Sequence, residues 1–146
     1  MRSLFILVSL LFTSSLYAQD LTGFWKGKIY SSQPDDSTTI ELKIRLNKKN
    51  EFAGTTTQRF GVFNYATAVI SIKYDSVANS VYLRERTIID KEVWDYTTLT
   101  LDEYNLKFEG PDKLSGMVYC FHTIPPKIGL EGPCHGPMQI YLVKQK

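Results

Sequence analysis

Ile40-Glu41-Leu42-Lys43-Ile44-Arg45-Leu46-Asn47 alternates apolar and polar residues without a break. Period two over this length is a half-buried β-strand, because no helix can bring Ile40, Leu42, Ile44 and Leu46 onto one face. Asn47-Lys48-Lys49-Asn50 reads as the turn that follows, and Phe52-Ala53-Gly54-Thr55-Thr56-Thr57 as the start of the returning strand. Ala66, Ala68, Ile70, Ile72 and Tyr74 then share one parity, Asp75–Ser80 is a small polar connection, and Val81–Ile89 runs back. Further strands are expected near Trp94–Leu101, Tyr104–Phe108, Leu114–His122 and Met138–Val143. Strands at this spacing, with no helical window longer than a turn or two, give an antiparallel meander.

Upstream, Gly23-Phe24-Trp25 opens the first strand. An indole at this place can plug one end of a closed barrel while the glycine lets backbone come near it. An apolar-small-glycine pattern recurs in Leu21-Thr22-Gly23, Phe52-Ala53-Gly54 and Leu114-Ser115-Gly116, each time at a strand start. Glycine weakens a strand and is tolerated where a sheet bends sharply, which closing a sheet demands. The expected fold class is all-β, an antiparallel up-and-down β-barrel of about eight strands.

The first eighteen residues read as a signal peptide. Arg2 supplies a positive start, Leu4 to Leu11 an apolar run, and Leu16-Tyr17-Ala18 a cleavage site. The apolar run is too short for a membrane span, and no later segment is long and apolar enough. Gln19 and Asp20 follow, so no cysteine offers a lipoprotein anchor. The expectation is residues 1–18 removed and a single domain over 19–146, secreted or periplasmic. The net charge of the chain is +2 and its basic residues are scattered, Lys48-Lys49 being the adjacent pair. Nucleic acid is thereby excluded as partner, since phosphate binding needs a clustered basic surface.

Gly23-Phe24-Trp25-Lys26-Gly27 resembles the opening strand of lipocalins and avidins, and Phe52-Ala53-Gly54-Thr55 is similar to the glycine-threonine return strand of avidins. The chain from residue 19 onward also looks like small secreted lipocalin-like proteins of bacteria, which end in a glycine-containing strand, a cysteine-containing loop and a short apolar strand. The resemblance implies a calycin-type barrel whose interior can hold a small molecule. Asp95-Tyr96 resembles the second lipocalin motif without its neighbouring threonine, and the arginine of the third motif is missing. Avidin's biotin contacts do not transfer, so biotin binding is not implied.

Cys120 and Cys134 read as a disulfide, given an exported chain with two cysteines. Closing a loop of that length is worth roughly 3 kcal/mol by chain entropy. The competing reading is a zinc site, because His122 and His135 neighbour the two cysteines. Adjacent Cys134-His135 is poor ligand spacing, and oxidation outside the cytoplasm consumes thiolates, so no metal and no cofactor is expected. Between the cysteines, the Pro/Gly-rich stretch 124–133 carries Ile124, Ile128 and Leu130. These three form a lid over the barrel mouth, a surface for a protein partner, or part of the core.

Glu85 shares parity with Val81 and Leu83, which places Glu85 and Thr87 inside the barrel. A buried carboxylate must be paired or protonated, and such groups mark binding sites; the alternatives are a register shift at a bulge in this strand, or a structural pair with an arginine such as Arg59. Nucleophile-elbow and phosphate-loop patterns are absent from the sequence, so an enzyme is not expected. The leading expectation is a non-enzymatic binding protein for a small apolar or aromatic molecule. Trp25, Tyr65, Trp94 and Tyr96 are its candidate aromatic wall and Glu85 its polar anchor. The alternative is an interaction module, such as an exported hydrolase inhibitor, acting through the disulfide loop.

Overall fold

The alternating segments close into an eight-stranded barrel in the computed structural model, which describes residues 20–31 and 37–146. The strands are β1 (Gly23–Tyr30), β2 (Ser37–Leu46), β3 (Phe52–Phe60), β4 (Asn64–Asp75), β5 (Ser80–Glu92), β6 (Leu99–Gly110), β7 (Lys113–Ile124) and β8 (Met138–Lys144). Each pairs antiparallel with its neighbour in the chain, and β8 closes on β1 with Gly27 opposite Leu142. Among the described residues there is no helix, hence none long and apolar enough to cross a membrane. The expected signal peptide lies outside the described residues.

Two sequence expectations change. Leu99–Gly110 is one continuous strand rather than two, and Trp94–Thr98 is a turn leading into it. Asp102-Glu103 does not break the strand because both stay in the ladder, opposite Cys120 and Tyr119. Thr87 is exposed rather than interior. The β4–β5 register slips between Val69 and Ile70, so that Ile70 faces Glu85 while Val69 faces Thr87, and Arg86 is the extra residue. A bulge immediately after Glu85 therefore keeps Glu85 inside and turns Thr87 out.

The repeated glycines behave as sharp corners at two of the three expected places. A Cβ on Gly54 or Gly116 would collide with the backbone of Lys43 or Asn105 on the neighbouring strand, and Gly27 meets Tyr141 in the same way. Gly23 serves differently, holding φ at +120° where the chain enters β1.

The barrel has two unlike ends. At the end of the short turns, Trp25 is fully buried and its Nε1 donates to the carbonyl of Leu21 at 3.0 Å. Phe108 meets the indole edge-on at 6.0 Å between centroids, Tyr74 meets Phe108 at 5.9 Å, and Phe52 meets Tyr74 at 6.1 Å. Such edge-to-face contacts add to area burial and plug that end. Leu42, Leu83, Leu106, Leu114, Val118 and Ile140 belong to the same buried cluster, which fills the barrel above the aromatics. The connections β3–β4, β5–β6 and β7–β8 emerge together at the opposite end.

Candidate functional site

Between the apolar core and the loop end, the interior positions turn polar. Thr56 and Gln58 of β3, Glu85 of β5 and Asp102 of β6 are buried, with Glu85 2% and Asp102 0% exposed. They stay inside because their strands alternate from apolar interior positions: Val81 and Leu83 lead to Glu85, and Phe108, Leu106 and Tyr104 lead to Asp102.

Glu85 is the hub. Its Oε1 accepts from Thr56 Oγ1 at 2.5 Å and from the hydroxyl of Tyr104 at 2.8 Å. Its Oε2 accepts the backbone N–H of Asp102 at 2.9 Å. That last bond has a structural cause. β5 and β6 pair from Ser80–Lys107 to Arg84–Glu103 and no further, so the Glu85 carboxylate takes the first N–H beyond the end of their ladder. Gln58 Nε2 donates to Asp102 Oδ2 at 3.0 Å and to the Tyr104 oxygen at 2.9 Å, with Glu85 Oε1 farther off at 3.4 Å. An amide nitrogen has two hydrogens, and the two shorter contacts use them. Arg59, an alternative partner for Glu85, pairs instead with Glu41.

His135 reaches this network from the β7–β8 loop. Its Nε2 lies 3.1 Å from Asp102 Oδ1 and its Nδ1 2.8 Å from the carbonyl of Gly136. The loop is tied down by the Cys120–Cys134 disulfide, with Cα atoms 5.5 Å apart. The Gly132 N–H also donates to Thr98 Oγ1 at 2.8 Å, and the Ile128 N–H to the Asp95 carbonyl at 3.0 Å. Burial, reinforced by the nearby Asp102 carboxylate, pushes the Glu85 carboxyl up to about 7, against the opposing pull of the bonds from Thr56, Tyr104 and the Asp102 N–H. The Asp102 bond raises His135 above the usual imidazole value although partial burial opposes it. Burial likewise holds the Tyr104 hydroxyl protonated, so it remains a donor. The cluster can hold or move a proton near neutral pH, and it fastens the loop to the barrel.

The candidate aromatics do not share one wall. Trp25 is at the plugged end. Tyr65 alternates with the inward Ala66 and Ala68, donates its hydroxyl to Asp90 Oδ2 at 3.1 Å, and carries Arg59 over its ring at 5.7 Å. Trp94 and Tyr96 sit on the β5–β6 connection, 56% and 65% exposed, with ring centroids 5.4 Å apart. Lining a cleft of about 610 Å³ with them are Phe60 at the end of β3 and Val62 and Phe63 of the β3–β4 connection. Behind Trp94 a smaller cleft of about 250 Å³ runs to Pro125, Pro126 and Lys127, where Lys127 pairs with Asp95 at 2.9 Å. Ile124 is half-buried at the end of β7, whereas Ile128 and Leu130 are exposed and cap no core.

Sequence reasoning passed over Thr56, Gln58, Asp102 and Tyr104. Parity along an unbroken β6 is the signal that finds the last two. His135 belongs to an irregular loop, and no periodicity points to it.

Fold and site together define a closed eight-stranded antiparallel barrel with a plugged end, a buried carboxylate network and an aromatic cleft among its loops. Comparison with protein-family models, with curated proteins and with solved structures finds no match to this chain.

Proposed function

We propose that this chain is an exported, non-enzymatic binding protein for a small apolar or aromatic molecule, held at the loop end rather than deep in the barrel. The observation that carries this reading is the cleft of about 610 Å³ between Trp94–Tyr96 and Phe60–Phe63. Large aromatic faces left open in a shaped cleft are the usual lining of a small-molecule site, and a contiguous apolar patch on a soluble chain calls for an occupant. The filled interior argues against a deeper site, and the near-complete burial of Glu85 and Asp102 keeps them from acting on a substrate. Export is supported by the disulfide together with the amino-terminal sequence pattern. The resemblance to lipocalin- and avidin-like barrels implies a ligand in the interior, and this reading moves it to the mouth because the interior is filled.

Native mass spectrometry of protein isolated from its own host, compared with a denatured sample, tests this. The expected result is a small-molecule mass released on denaturation and lost from Trp94→Ala. Identical masses in both samples would count against the reading.

A second reading, an interaction module such as a hydrolase inhibitor, is favoured by the exposure of Ile128 (66%) and Leu130 (95%) on a loop fastened at several points. Under it, Ile128→Asp with Leu130→Asp abolishes partner capture and leaves small-molecule binding intact.

A further inference from the structure

Three metal-type donors converge where the β7–β8 loop meets the barrel, and a fourth is bonded to one of them. A ring nitrogen of His135, a carboxylate oxygen of Asp102 and the sulfur of Cys120 lie within 4.8 Å of one another. The sulfur of Cys134 is bonded to that of Cys120. Two sulfurs, an imidazole and a carboxylate suit zinc, which takes four such ligands in a tetrahedron. In the disulfide neither sulfur is a thiolate, and a thiolate is what a metal binds. We propose that cleavage of the Cys120–Cys134 disulfide by a thiol reductant converts Asp102, Cys120, Cys134 and His135 into a four-coordinate zinc site.

The surroundings of the donors already suit ligation. The contact of His135 Nδ1 with the Gly136 carbonyl, at 2.8 Å, is satisfied by a proton on Nδ1 and leaves Nε2 directed at Asp102 Oδ1. Ligating imidazoles are oriented by such a bond from their other nitrogen. Asp102 Oδ2 is held by Gln58 at 3.0 Å, so Oδ1 is the oxygen available to a metal. With metal–sulfur bonds of about 2.3 Å and metal–nitrogen bonds of about 2.0 Å, the donors need to settle roughly 3–4 Å apart. Cleavage lets the two sulfurs separate to that distance, while the bonds from Gly132 to Thr98 and from Ile128 to Asp95 still hold the loop near β7. Asp102 fills the place that the sequence offered to His122, which is exposed and outside the cluster.

The chemistry balances. Two thiol groups of the reductant give up two electrons and two protons and leave joined as a disulfide. The Cys120–Cys134 bond breaks and takes up both, yielding two thiols. Binding of Zn²⁺ then displaces those two protons, and the one that His135 Nε2 shares with Asp102, to solvent.

The test reduces the full chain with dithiothreitol, removes the reagent without oxygen, and titrates with Zn²⁺ under native mass spectrometry and with Co²⁺ by absorption. One metal ion per reduced chain is expected, none on the oxidised chain, with a sulfur-to-cobalt charge-transfer band. His135→Ala should weaken binding about tenfold or more, whereas His122→Ala should leave it unchanged. Should His135→Ala fail to fold, Cys134→Ser gives the same reading through a weaker charge-transfer band. A reduced chain that binds no metal, an oxidised chain that binds equally well, or dependence on His122 instead of His135 overturns the proposal.

Discussion

Glu85 carries the clearest consequence at the scale of single residues. Burial pushes its carboxyl up to about 7 in the folded barrel from an ordinary value of 4.5, so the folded chain holds an extra proton across that interval. Stability from this group is therefore full below about 4.5 and is lost as pH rises through about 7. His135, raised by Asp102, acts in the same direction. Between pH 8 and pH 5 the Glu85 contribution amounts to about 2 kcal/mol. Thermal unfolding should accordingly give a higher midpoint at pH 5 than at pH 8. Glu85→Gln should remove most of that slope, even though its amide, facing the Asp102 N–H, lowers stability overall. A variant that retains the full slope would show that Glu85 is not the titrating group.

At the scale of strands, the crowded glycines mark where the sheet turns. Gly116→Ala puts a methyl into the backbone of Asn105, and overpacking of this kind costs about 1–3 kcal/mol or more. Gly136 has open space around its Cβ position, so Gly136→Ala should change stability by less than about 0.5 kcal/mol. Chemical denaturation of the two variants checks the contrast, and equal midpoints would contradict it. The strands themselves were legible because strict alternation has one structural reading, as Ile40 to Leu46 illustrates. β6 was harder, since Asp102-Glu103 looks like a turn until the ladder with β7 is seen. Glu85 could be placed by counting from Leu83, but Thr87 could not, because a bulge is set by pairing and leaves no periodic trace. Trp94 and Tyr96 could be picked as site aromatics by type, but the sequence put them on a strand of the barrel wall, whereas they stand exposed on a turn. Their common cleft with Phe63 depends on which loops share an end. His135 meets Asp102 because Thr98, Asp95 and the disulfide each hold an irregular loop in place, which no periodicity announces.

At the scale of the whole molecule, the barrel divides its labour along its axis. The plugged end and the filled middle supply stability, the carboxylate layer fastens the β7–β8 loop, and the loop end presents aromatic surface. Nitrogen-15 amide shifts recorded while titrating an aromatic probe, 1-anilinonaphthalene-8-sulfonate, test this division most directly. The account predicts saturable shifts confined to Phe60–Asn64 and Trp94–Thr98, abolished in Trp94→Ala, with Leu83, Val118 and Ile140 unmoved. Shifts centred on those interior residues, or binding that survives Trp94→Ala undiminished, would contradict it.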